Sequence, residues 1–121
     1  MTQVLIVDDS PTEVHVLSTI LKKHGFDVAT ATNGEEGIET AKQLKPDLIL
    51  MDVVMPGMNG FQATRQLSKD DTTSAIPVII VTTKDQETDR VWGLRQGARD
   101  YITKPVAEAE LVEKIQSVMG G

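Results

Sequence analysis

Three short runs of uninterrupted apolar residues constrain this chain more than any other feature: Val4–Val7, Leu48–Met51 and Val78–Val81. A strand with one wet face alternates apolar and polar residues, because successive side chains point to opposite sides of the sheet. A run with no polar member belongs to a strand covered on both faces, the situation of parallel sheets lying between helices. Two further strand-like stretches, Phe26–Ala31 and Tyr101–Thr103, are poorer in apolar residues and keep company with Asp27, Thr30, Asp100 and Thr103. They suit the edges.

Helical patterns separate the strands, at about 11–24, 34–44, 60–69, 85–96 and 107–119. Ser10-Pro11-Thr12-Glu13 offers an N-cap, a proline at the first helical position and a glutamate able to close a capping box. Asn33 with Glu36 and Asn59 with Gln62 repeat that spacing. Val14, Leu17 and Leu21 form an apolar stripe, as do Leu111, Ile115 and Val118, and Gly25 suits a helix exit. The helix following the strand Val78–Thr82 differs. Its large apolar residues are Val91, Trp92 and Leu94, with Gly93 among them, and an interior glycine costs roughly 0.5–1 kcal/mol relative to alanine. It is expected to be the least firmly anchored helix.

Strand–helix alternation predicts an α/β fold with helices on both faces of a parallel sheet. With strands one, three and four inside, the order 2-1-3-4-5 follows, the flavodoxin-like (βα)5 doubly wound arrangement, reached by ordinary right-handed crossovers. The 121 residues are expected to form one domain, 1–121, with no output domain.

Composition removes several functions. A net charge of −6 and four scattered aromatics argue against a nucleic-acid partner. The absence of cysteine removes disulfides and thiolate metal sites. Neither a signal-like start nor a membrane-length apolar run is present, so a soluble, cytoplasmic monomer is expected, with no membrane partner.

In such a sheet, ligands gather beyond the carboxyl ends of the strands. Asp8 and Asp9 follow strand one, Asp52 follows strand three, Thr82 closes strand four, and Lys104-Pro105 follows strand five. Taken singly, these residues have plain structural readings: a helix start, a turn former, a β-former at a strand end, a surface lysine. Taken together on neighbouring strand ends, they bring three carboxylates, a hydroxyl and a cation to one rim. Clustered carboxylates repel one another unless a hard cation shares them, and Mg2+ accepts few carboxylates and completes its shell with water and phosphate. A nucleophilic carboxylate, a metal and a lysine suffice for phosphoryl transfer, with Asp52 forming an acyl phosphate.

The segments Val-Asp-Asp-Ser (7–10), Leu-Met-Asp-Val-Val-Met-Pro-Gly-Met-Asn-Gly (50–60), Ile-Ile-Val-Thr-Thr (79–83) and Asp-Tyr-Ile-Thr-Lys-Pro (100–105) resemble, in order and spacing, the signatures of the bacterial response-regulator receiver family, CheY-like proteins. The resemblance covers the whole chain. It implies that Asp52 is the phosphoacceptor, that Asp9 binds Mg2+ directly and Asp8 largely through water, and that Val54 donates a backbone carbonyl to the metal. It further implies that Thr82 is a switch hydroxyl, Tyr101 a switch aromatic and Lys104 the phosphate-pairing lysine, with Lys104–Pro105 cis. The expected protein is a phosphoacceptor that catalyses its own phosphorylation and dephosphorylation, without conventional substrate turnover. Residues 59–67, 73–93 and 95–101 resemble more narrowly the stand-alone regulators of type IV pilus signalling and twitching motility. That implies a chemotaxis-like histidine kinase as phosphodonor and a pilus-control protein as partner, met through the fourth helix, fifth strand and fifth helix.

This sequence departs from the common family pattern at Thr83, where many relatives carry alanine. Val54 and Lys84, flanking the path of attacking water, offer no obvious water-activating group. Three rivals remain in view. A haloacid-dehalogenase-type phosphatase needs an acid where Val54 stands; a flavin phosphate would be repelled by the acids; a phosphate sink would need no output partner. His15 and His24 read as surface or capping residues, and Met51, Met55 and Met58 as packing. Trp92 suits either an interface anchor or a half-buried packing residue. Gly120-Gly121 reads as a frayed end.

Overall fold

A computed structural model describes residues 2–120. The elements run β1 (Gln3–Val7), α1 (Pro11–Lys23), β2 (Asp27–Ala31), α2 (Gly34–Leu44), β3 (Leu48–Met51), α3 (Gly60–Lys69), β4 (Val78–Thr82), α4 (Glu87–Arg95), β5 (Asp100–Thr103) and α5 (Glu108–Met119). The five strands are parallel in the order β2-β1-β3-β4-β5. The apolar runs occupy the three inner positions, as double-sided burial requires, and β2 and β5 take the edges.

The strand period of two divides the core. Val4, Ile6, Leu48, Leu50, Ile79, Val81 and Ile102 face α1 and α5, meeting Leu17, Leu21, Leu111 and Ile115. Leu5, Val7, Ile49, Met51 and Val78 point the other way and pack with Ala41, Ala63 and Leu67 of α2 and α3. Each large aliphatic side chain so buried contributes about 1.5–3 kcal/mol. A third, smaller cluster of Val53, Phe61, Ile80, Ala98 and Tyr101 lies toward α4.

Helix ends follow their capping chemistry, with one redirection. Asn59 and Gln62 close a full capping box at α3. At α1 the Ser10 hydroxyl accepts from the Glu13 N–H, but the box is not closed: the Ser10 N–H donates instead to Asp8 Oδ1 at 2.9 Å, and Glu13 turns elsewhere. Gln86 makes no side-chain cap bond, and α4 is shorter at both ends than the predicted 85–96. Gly120 still donates its N–H to the Gln116 carbonyl, at 3.0 Å; Gly121, expected to be frayed, lies outside the described residues. Among the described residues no helix is long and apolar enough to cross a membrane.

Candidate functional site

Backbone hydrogen bonds carry the parallel ladder just past the strand ends. The N–H of Asp8 donates to the Ala31 carbonyl at 3.0 Å, that of Asp52 to Val7 at 2.9 Å and that of Lys104 to Thr82 at 2.8 Å. Three side chains far apart in sequence are thereby fixed at one rim. Asp8, Asp9 and Asp52 each offer a carboxylate oxygen there, all within 4.8 Å of one another, with Asp8 and Asp52 buried and Asp9 exposed. This oxygen-only set suits a small hard divalent cation.

Lys104 reaches in from behind β5, its side chain only 7% exposed. Its Nζ donates to Asp8 Oδ2 at 2.8 Å and stands 3.8 Å from Asp52 Oδ1. Burial alone lowers the ammonium's pKa, but the hydrogen bond it donates to Asp8 and the charges of Asp52, Asp8 and Glu13 outweigh it and hold the value above the ordinary one. Asp52 moves upward too. Burial is the main cause and the Asp8 charge adds to it, opposed by Lys104, by the Val53 N–H at 2.8 Å and by the Thr82 hydroxyl. The Lys104–Pro105 peptide is cis, as the family resemblance implied.

The loop after Asp52 is shaped by glycine. Gly57 adopts φ +73°, a left-handed conformation that other residues rarely take. Gly60, opening α3, donates its N–H to the Val53 carbonyl at 3.0 Å, and a Cβ there would lie 1.9 Å from the Asp52 carbonyl oxygen. No other residue fits between helix and acid loop.

Beyond the carboxylates, Thr82 is fully buried and its Oγ accepts a long bond, 3.4 Å, from the Lys84 N–H. The ring of Tyr101 is buried, and its hydroxyl donates to the Lys84 carbonyl at 2.8 Å. Burial chiefly, with the charges of Asp89, Asp85 and Asp52, pushes the phenol up to about 12, so it remains a donor. Thr82 and Tyr101 therefore meet through the two backbone polar groups of one residue.

The family model for the response regulator receiver domain matches residues 4–116. The chain belongs to that family. Over all 121 residues this receiver is 65% identical to Protein PilH of Pseudomonas aeruginosa, covering the whole of both chains, whereas it spans between 26% and 50% of other curated relatives. Its fold is similar to that of chemotaxis protein CheY4 of Vibrio cholerae, with TM-score 0.91, 30% identity and 98% of each chain covered. It is equally similar to the receiver domain of the sensor histidine kinase PA1611 of Pseudomonas aeruginosa, with TM-score 0.91 and 30% identity over 99% of this chain and 98% of that one. The latter structure has a magnesium ion coordinated in its active-site cleft. Receivers are phosphoacceptor signalling modules rather than conventional enzymes.

Val54 is 57% exposed, and Thr83 and Lys84 are exposed as well. His15 is exposed, while His24 caps α1 and bonds Glu108 at 2.9 Å. Met51 and Met55 belong to the core beneath α2 and α3, and the partly buried Met58 packs against it.

Two roles at the site escaped the sequence reading, those of Glu13 and Lys84. Glu13 Oε2 lies 3.5 Å from Lys104 Nζ, a third carboxylate on the lysine. Its position in the first turn of α1, four residues after Asp9, was the available clue. Lys84 joins Thr82 to Tyr101 through its backbone, which leaves no mark in residue type.

Proposed function

We propose that this receiver is a stand-alone response regulator that accepts a phosphoryl group on Asp52 from the histidine kinase of a chemotaxis-like system. One observation carries the reading: Asp8, Asp9 and Asp52 converge within 4.8 Å, and the buried Lys104 ammonium stands 3.8 Å from Asp52. A carboxylate oxygen of Asp52 attacks the phosphorus of a phosphohistidine. The phosphorus–nitrogen bond breaks, the imidazole leaves with its electron pair and takes a proton, and an acyl phosphate forms.

Asp9 directly, Asp8 largely through water, Asp52 and the Val54 carbonyl would hold Mg2+, which when bound offsets charge on the phosphoryl oxygens. Magnesium in the related PA1611 receiver supports this assignment. Lys104, kept protonated by its acidic neighbours, supplies a fixed positive charge beside the acceptor.

The response passes outward by a shift between two packings. The long Thr82–Lys84 bond is readily exchanged for one from the Thr82 hydroxyl to a phosphoryl oxygen, and Tyr101 follows through the shared Lys84 backbone. Gly93 is the residue that α4 buries, and its N-cap lacks a side-chain bond, so the surface of α4, β5 and α5 is the cheapest to move. Full-length identity to PilH supports a single-domain, cytoplasmic role in type IV pilus and twitching-motility control, exerted on a pilus-control protein through that surface.

Incubation with acetyl phosphate and Mg2+ tests the assignment. Wild-type protein should gain an acid-stable, hydroxylamine-labile phosphoryl group by mass spectrometry, and Asp52→Asn should gain none. Undiminished labelling of Asp52→Asn would remove that residue from the role.

A further inference from the structure

On the side of α4 turned toward α3 lies an open groove of about 440 Å³, away from the acid cluster. Arg65 and Lys69 line it from α3, one turn apart, and Trp92 and Arg95 line it from α4, three residues apart and so on one helix face. At its floor the turn after α4 comes close to α3: a Cβ on Gly97 would lie 2.0 Å from Ser68 Oγ. None of the groove's lining residues belongs to β5 or α5, so it shares only α4 with the surface proposed above for output.

Its chemistry is unusual for this protein. The chain carries −6 overall, yet three cations border this groove, no acid lines it, and none of the three enters an ion pair among the described residues. Glu35 lines the adjoining depression that shares Arg65 and Lys69. Between the cations stands Trp92, 49% exposed. Tryptophan and arginine are the residue types that anchor protein interfaces most strongly.

We infer that the α3–α4 groove docks a short acidic segment of a partner protein, with carboxylates on Arg65, Lys69 and Arg95 and an apolar side chain against Trp92. Charge complementarity selects the acid, because carboxylates pair with guanidinium groups in a bidentate manner. The tryptophan selects a peptide that also carries apolar side chains. Nucleic acid fits less well: a continuous line of phosphates would leave these three cations and meet the negative field of the remaining surface.

Trp92 is the chain's single tryptophan, so its fluorescence reports on the groove alone. The probe is a synthetic peptide of glutamates interspersed with leucines, titrated at physiological ionic strength into wild type, Arg65→Glu and Lys22→Glu. Lys22 is an exposed α1 residue outside both sites, and its reversal changes net charge by the same amount. Saturable change in Trp92 emission is expected, with affinity about tenfold weaker for Arg65→Glu and unchanged for Lys22→Glu. Equal weakening in both variants, or no saturation with wild type, would overturn the inference. So would equally tight binding of an oligothymidylate of the same charge, or an emission change that follows protein concentration without peptide, which would mark self-association.

Discussion

The Lys104 ammonium donates a hydrogen bond to Asp8 Oδ2 at 2.8 Å. Asp52, 3.8 Å from the same nitrogen, is therefore the less compensated of two buried carboxylates, and its raised pKa records the penalty. An acid whose folded pKa exceeds its unfolded one destabilises the fold above that folded value, and the penalty fades as pH falls toward the ordinary 3.8. Without divalent cations, Asp52→Asn should therefore stabilise the protein by about 1 kcal/mol near neutral pH, raising Tm by about 3–6 °C. Asp8→Asn should not, because it strips Lys104 of its nearest partner. Thermal melts in chelator, repeated in acid, check both statements. The Asp52→Asn advantage must shrink as pH drops, and a variant melting below wild type at neutral pH would contradict the account.

Gly93 explains why α4 accepts a poor helix former. A Cβ there would stand 2.8 Å from Ile80 Cδ1 and 3.3 Å from both Phe61 Cε1 and Tyr101 Cδ2. Alanine would add roughly 0.5–1 kcal/mol of helix propensity, but overpacking a rigid core costs about 1–3 kcal/mol. The crowding should win. Gly93→Ala is expected to lose about 1 kcal/mol in urea unfolding and to alter the near-UV signal of Tyr101. A stabilised variant would show that α4 can move aside at no cost.

The parallel sheet was legible because double-sided burial leaves strands with no polar member, a pattern helices and half-wet strands do not imitate over so few residues. The rim of acids followed from topology alone, since each lies at the end of an inner strand. Other features were hidden for physical reasons. Glu13 and Lys104 meet only because the lysine after β5 reaches across the rim to the start of α1, and Glu13 fitted a local capping role equally well. The Thr82–Lys84–Tyr101 linkage runs through backbone atoms, which every residue possesses. The late start of α4, at Glu87, goes with a missing side-chain cap at Gln86, and absent interactions are harder to read than present ones.

Glu13 should act on the site through the lysine. Its charge contributes to the raised pKa of Lys104, after the contributions of Asp8 and Asp52. Glu13→Gln should lower the Lys104 pKa, and Asp8→Asn should lower it further, as read by NMR of the lysine side-chain nitrogen. Because Glu13 is about one-third exposed, water screens the pair, and an effect on stability of only about 0–1 kcal/mol is expected. An unchanged Lys104 titration in Glu13→Gln would show the contact to be incidental.

Glu108 joins the end of α1 to the start of α5, accepting from Lys23 at 3.0 Å and from His24 at 2.9 Å. The His24 hydrogen bond first, then that of Lys23, holds its pKa below the ordinary 4.5. An acid with a depressed folded pKa contributes stability above its unfolded value and loses it as pH falls through the folded one. Wild type should therefore melt above Glu108→Gln near neutral pH, with the gap narrowing below 4.5 and closing once the carboxyl is protonated. The groups are exposed, so added salt should shrink the neutral-pH gap as well. Neutral glutamine can still bridge the two helices by hydrogen bonding, and a gap that survives both acid and salt would mean that shape, not charge, joins them.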